Sequence, residues 1–171
     1  FSLVGAEVPH TRGGRRAHPP KVEKMINYKK INKRELQKAL MSAIAATAKE
    51  EFLLKRYSTL QDKKLKIELP FVVESKISGL KIKEVFSSFK KIFGEELFKI
   101  AVKKKAVRSG RGKMRGRRYK KSAGVLIVVG EKEIFKSKSF DVVKVNSLSV
   151  NDLAEADSPG RLTIYTENAV H

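Results

Sequence analysis

Between residues 32 and 56 the core-type positions recur at helical spacing, with Leu36, Leu40, Ala43, Ile44 and Thr47 on one face and Phe52 continuing it. Asn32 is a good N-cap, and Glu35 three residues later completes an approximate capping box. The spacing therefore predicts one helix ending near Arg56, before the polar stretch Ser58–Lys64. Small residues crowd Ala39–Ala48, so another element can approach closely there. Ile82, Val85, Phe86, Phe89 and Phe93 predict a second amphipathic helix, stopped by Gly94. Glu95–Lys104 reads as a short third helix, acidic at its start and lysine-rich at its end, as the helix dipole favours.

Strand signals lie around and after these helices. Leu69–Val73 reads as a buried strand with Pro70 near its start. Val125–Val129 is an unbroken aliphatic run, the pattern of a strand covered on both faces. Val142–Val145 and Leu162–Tyr165 are two more. The gaps between them, twelve residues over Gly130–Asp141 and sixteen over Asn146–Arg161, are long enough for parallel crossovers. Short helices fit at Lys132–Lys138 and Val150–Ala154. Alternating helices and apolar strands predict an α/β fold, a mostly parallel sheet flanked by helices in a Rossmann-like sandwich. No internal repeat is visible.

Residues 1–24 break this periodicity. Gly5, Pro9, Gly13, Gly14, Pro19 and Pro20 punctuate a stretch with almost no apolar periodicity, and Arg12, Arg15 and Arg16 flank the adjacent glycines. The expected division is an extended basic arm over 1–24, followed by a globular domain over 25–171 that carries a basic loop at 103–121. With 171 residues, 41% of them hydrophobic, the chain can bury one real core. It has no cysteine, which excludes a disulfide framework and a thiolate zinc site. No apolar run approaches a membrane span, and Phe1–Val8 lacks the pattern of a signal peptide. The first residue is Phe rather than Met, so the native beginning is expected to be missing.

Charge changes the picture most. Thirty-eight Lys plus Arg against eighteen Asp plus Glu give a formal +20. A domain so basic repels itself unless a polyanion neutralises it. The charge is also concentrated: Lys103–Lys121 holds eleven basic residues and no acidic one, whereas Asp141–His171 holds five acidic residues and two basic ones.

Within that segment, Arg108-Ser-Gly-Arg-Gly-Lys-Met-Arg-Gly-Arg-Arg-Tyr-Lys-Lys121 alternates glycine with cations, which no packed core accepts. Guanidinium groups match phosphate oxygens and stack on bases, and the glycines allow close backbone approach. The expected RNA-binding residues are Arg108, Arg111, Lys113, Arg115, Arg117 and Arg118, with Tyr119 to stack and Lys120 and Lys121 to follow. The arm adds Arg12, Arg15, Arg16, His18 and Lys21. The segment is expected to be mobile when free and ordered by its ligand.

Gly110-Arg-Gly-Lys113 is not a phosphate loop, because the upstream glycine and the following Ser or Thr are missing and it follows a helix rather than a strand. No nucleotide site, cofactor or metal is expected. His10, His18 and His171 form no catalytic or metal pair, and Glu155, Asp157 and Glu167 read as a solvated acidic surface with Asp152 near a helix start. No catalytic residue is expected. An RNA-processing enzyme, a DNA-binding regulator and a membrane-surface protein remain as rivals, and each lacks its own signature: a convergent catalytic group, a basic recognition helix, an interleaved apolar face.

Three segments in order carry a family resemblance. Val8-Pro-His-Thr-Arg-Gly-Gly-Arg-Arg-Ala-His-Pro-Pro-Lys21 resembles the end of the long internal loop of the large-subunit ribosomal protein L-four family, archaeal type. Arg108–Lys121 followed by Gly124–Val129 resembles that family's basic segment and next core strand, and Ser158–Glu167 resembles its C-terminal strand. The resemblance implies a structural constituent of the large ribosomal subunit in the cytoplasm, not an enzyme. It would bind large-subunit ribosomal RNA beside neighbouring ribosomal proteins, with no membrane or small-molecule substrate. Its loop would extend toward the peptide exit tunnel. Members of the family begin with a further strand, helix and first half of the loop before the residue matching Phe1.

Overall fold

A computed structural model describes residues 9, 12–26, 29–60, 68–155 and 158–170. His10, Asp157, His171 and most of Val8–Thr11 lie outside the described residues. The chain divides into two compact units, 1–33 and 34–171.

In the first unit, residues 12–21 carry no regular structure and their side chains are almost all exposed. Val22–Met25 forms a single helical turn, α1, where the sequence predicted an extended arm as far as Lys24.

The second unit is built on a four-stranded, wholly parallel sheet. Its helices are α2 (Lys33–Thr47, whose first residue ends the first unit), α3 (Glu50–Arg56) and α4 (Ile82–Ala101), with single turns α5 (Val150–Leu153) and α6 (Glu167–Val170). Its strands are β1 (Phe71–Val73), β2 (Lys105–Val107), β3 (Tyr119–Lys121), β4 (Leu126–Val129), β5 (Asp141–Lys144) and β6 (Thr163–Thr166). The sheet runs β1–β6–β4–β5, with Ile127 opposite both Ile164 and Val142. β2 and β3 stand apart as an antiparallel pair.

The aliphatic run behaves as its composition requires. Every residue of β4 is buried, and the two-residue period of a strand deals its side chains to two cores. Val125, Ile127 and Val129 join Ile164 against α3 and α4, while Leu126 and Val128 join Tyr165 against Ala43 of α2 and Leu153 of α5. The first core is rich in aromatic rings: Phe89 and Phe140 meet edge-on at 5.2 Å, and Phe71 and Phe93 at 4.9 Å.

Three helix expectations need correction. The helix predicted to run to Arg56 breaks after Thr47, because Lys49 takes an extended conformation. The restart rotates the face, so that Leu53 rather than Phe52 enters the core. The stop expected at Gly94 is present: at φ 69° and ψ 179° Gly94 leaves helical geometry and divides α4 into two helices, while the buried series Val85, Phe89, Phe93, Leu97, Ala101 continues across the break. The chain leaves this helix at Ala101, whose carbonyl accepts from Val125 N–H at 2.8 Å, so Lys103 and Lys104 lie beyond it. No helix forms over Lys132–Lys138. There the Ser137 hydroxyl accepts from the backbone N–H groups of Ser139 and Phe140, and this local bonding replaces helical bonds.

Candidate nucleic-acid interface

The basic segment is a two-stranded ribbon. β2 and β3 pair Lys105 with Lys121, Ala106 with Lys120 and Val107 with Tyr119, and all six residues are exposed. Arg108 N–H donates to Arg118 O at 2.8 Å, lengthening the ladder by one rung. A 3₁₀ turn over Arg111–Met114 makes the tip, entered through Gly110 at φ 75° and left through Gly116 at φ 77°. Arg115 and Arg117 both donate backbone N–H groups to Gly112 O at 3.1 Å. These turn conformations require the glycines on which the sequence reading rested.

The ribbon's side chains point to a polyanion. Lys105 and Lys121 are like charges directly across the ladder, an arrangement that costs stability when nothing neutralises it. Among the described residues, carboxylates pair with Lys103 and Arg161 but with no cation from Lys104 to Lys121. Arg111, Lys113, Arg115, Arg117, Arg118, Lys120 and Lys121 are exposed together along the ribbon, and Arg108 is half-buried, its Nε donating to Arg117 O at 3.0 Å. Tyr119 is 45% exposed, with the Lys105 ammonium 3.9 Å from its ring centre and the Arg118 guanidinium 5.7 Å away. One ring is thereby held in a cationic setting. Lys105 was not singled out in the sequence, although it falls inside the basic run.

Arg12, Arg15, Arg16, His18 and Lys21 are all exposed in the first unit. Gly13, at φ 77°, and His18, at φ 50°, turn the backbone there.

The ribbon leaves the amino-terminal edge of the sheet. At the opposite edge, where open α/β sheets hold their ligands, Glu133 ties the ends of β4 and β6 together. One Glu133 carboxylate oxygen accepts from Gly130 N–H at 2.9 Å and from the Thr166 hydroxyl at 2.7 Å, and the other accepts from the Asn168 amide at 2.9 Å. A Cβ on Gly130 would stand 2.9 Å from Asn168 Cβ. Two acidic residues near the C-terminal end have structural partners: Asp152 accepts from the Ser149 N–H and hydroxyl, and Glu155 pairs with Arg161. Glu167 is exposed at the start of α6. Among the described residues no group of three or more acidic or histidine side chains is placed to hold a metal ion, and no helix is long and apolar enough to cross a membrane.

The model of the ribosomal protein L4/L1 family matches residues 5–171. The large ribosomal subunit protein uL4 of Methanocaldococcus jannaschii is 42% identical over 171 residues, covering 96% of this chain and 66% of that protein. The uL4 of Archaeoglobus fulgidus is 44% identical over 169 residues, covering 95% of this chain and 65% of that protein. The uL4 of Methanococcus vannielii is 42% identical over 173 residues, with 98% and 67% covered. The chain thus spans about two thirds of the length of the relatives it matches.

Proposed function

The chain belongs to the ribosomal protein L4/L1 family, and from that premise we propose that it is a structural, non-catalytic, RNA-binding component of the large ribosomal subunit in the cytoplasm. The observation that carries the reading is the cationic ribbon, which leaves Arg111, Arg115, Arg117 and Arg118 exposed with no carboxylate among the described residues to neutralise them.

Phosphate contacts by these residues, by Lys113, Lys120 and Lys121, and by Arg108 at the base of the tip supply affinity. Double-stranded RNA is recognised chiefly through backbone and shape, and Tyr119 offers a stacking surface for an unpaired base. The arm, with Arg12, Arg15, Arg16, His18 and Lys21, is a second anchor. It is the end of a longer loop that follows ribosomal RNA toward the peptide exit tunnel, and neighbouring ribosomal proteins complete the surroundings.

Sedimentation of a cell extract before and after a high-salt wash tests this. The protein is expected at one copy per large subunit and to survive moderate salt. A free pool, or loss at low salt, would replace the reading with a transient RNA-binding factor.

A further inference from the structure

Asp141 opens β5, and its carboxylate is shared by two cations from distant parts of the chain. One oxygen accepts from the Arg161 guanidinium at 2.5 Å, and the other pairs with the Lys103 ammonium. Lys103 stands two residues before β2 and also donates its backbone N–H to Ser139 O at 3.3 Å. Arg161 donates to the carbonyls of Ala123 and Gly124, at 3.0 and 3.2 Å, just after β3. A single charge network therefore grips both roots of the ribbon.

The Arg161 side chain is 2% exposed and makes four hydrogen bonds and a second ion pair. Besides Ala123, Gly124 and Asp141, it donates to Asp152 O at 2.8 Å and pairs with Glu155 at 2.9 Å. Packing does not require a buried guanidinium: apolar replacements of buried ion pairs are often as stable or more so. Such a group does fix the places of everything bonded to it. The ribbon has little else to direct it, since its strands are exposed on both faces and its opposed lysines repel.

We propose that Arg161, Asp141 and Lys103 form a positioning network for RNA binding, holding the roots of the ribbon so that its arginines meet phosphates in one fixed arrangement. The network rests on the RNA-binding reading above and touches no RNA itself. It acts by removing the ordering cost that a loose cationic segment meets on binding. Its sign is diagnostic. Loss of a carboxylate from an RNA-binding protein ordinarily tightens binding, whereas loss of Asp141 is expected to weaken it.

The test uses the full chain and archaeal large-subunit ribosomal RNA across a salt series, with Asp141→Asn, Lys103→Met and, as a matched loss of an exposed acid, Glu131→Gln. Asp141→Asn is expected to bind about tenfold more weakly, with the slope of log K against log salt unchanged because the same phosphates are neutralised. Glu131→Gln is expected to bind at least as tightly as the unaltered chain. Amide exchange at the rungs Arg108 and Ser122 should quicken in both Asp141→Asn and Lys103→Met, while β4 and β6 stay protected. If Asp141→Asn opens the sheet as well, Lys103→Met decides, because it leaves the Arg161–Asp141 pair in place: faster ribbon exchange supports the network and unchanged exchange overturns it. Equal or tighter RNA binding by a folded Asp141→Asn chain would sink the positioning role alone. Failure of the unaltered chain to bind RNA would sink the RNA reading and the network with it.

Discussion

The hydroxyls of Thr47 and Tyr165 lie 3.0 Å apart in the interior, joining the end of α2 to β6 across 118 residues. Thr47 also bonds Ile44 O at 2.7 Å, so its donor and acceptor capacity are both used. Tyr165 has no other described hydrogen-bond partner, and burial pushes its phenol pKa up. Thr47→Val is therefore expected to cost more than Tyr165→Phe. The valine strands a buried phenol, at about 1–3 kcal/mol, whereas the phenylalanine removes one ordinary bond, at about 1 kcal/mol. Urea midpoints of the two variants measure the difference.

Two glycines hold positions where a side chain has no room. A Cβ on Gly160, at φ 89°, would stand 2.6 Å from the Phe52 carbonyl carbon, and one on Gly124, at φ 70°, 2.7 Å from Ala101 O. Gly160→Ala and Gly124→Ala should each lose about 2 kcal/mol or more, combining backbone strain with displacement of a neighbour. Gly79→Ala meets open space with an ordinary φ and is expected to be neutral or to gain about 0.5 kcal/mol. Thermal unfolding of the three variants separates the cases.

Replacing Arg111, Arg115, Arg117 and Arg118 together with Gln should leave the circular-dichroism spectrum and melting of the domain unchanged, because these side chains are exposed. RNA affinity should fall sharply. The slope of log K against log salt should become shallower by roughly 3, with each guanidinium accounting for about one phosphate. Affinity retained at physiological salt would remove the ribbon as the main anchor.

Acid should destabilise the protein through two carboxylates. Burial raises the Asp141 carboxyl, but the hydrogen bonds and charges of Lys103 and Arg161 outweigh it and hold the group below its ordinary 3.8. Burial acts the same way on Glu133, where hydrogen bonds from Thr166, Ser75, Gly130 and Asn168 prevail and hold it below 4.5. A depressed native pKa means that the unfolded chain takes up protons first as pH falls. The stability from these groups is then complete above the ordinary values and is lost as pH drops through them toward the native ones. Urea midpoints are expected to be flat from pH 7 to about 5 and to decline below that. Glu133→Gln should make the decline shallower.

The parts of the fold legible in the sequence are those fixed by local pattern. Val125–Val129 announced the most buried strand because five aliphatic residues in a row suit only a strand covered on both faces. The break at Lys49 was hidden, since Phe52 extends the apolar series of α2 and only the packing of Leu53 shows that the face has turned. The ribbon was legible as chemistry but not as shape: glycine and arginine predict a loop, while three rungs of backbone pairing make it a hairpin. Arg161 was invisible as a structural centre. An arginine beside Leu162 reads as a strand-end polar residue until Asp141, twenty positions earlier, is seen to meet it.

The tip from Arg108 to Arg118 bonds within itself, and its side chains are nearly all exposed. Its length is therefore free to vary without disturbing the sheet. Added residues there would cost only loop-closure entropy, about 0.6 kcal/mol for each doubling, while the roots at Lys103 and Gly124 stay where they are. Reach toward a binding partner and stability of the domain are separate quantities in this architecture, and evolution or an engineer can lengthen the one without renegotiating the other.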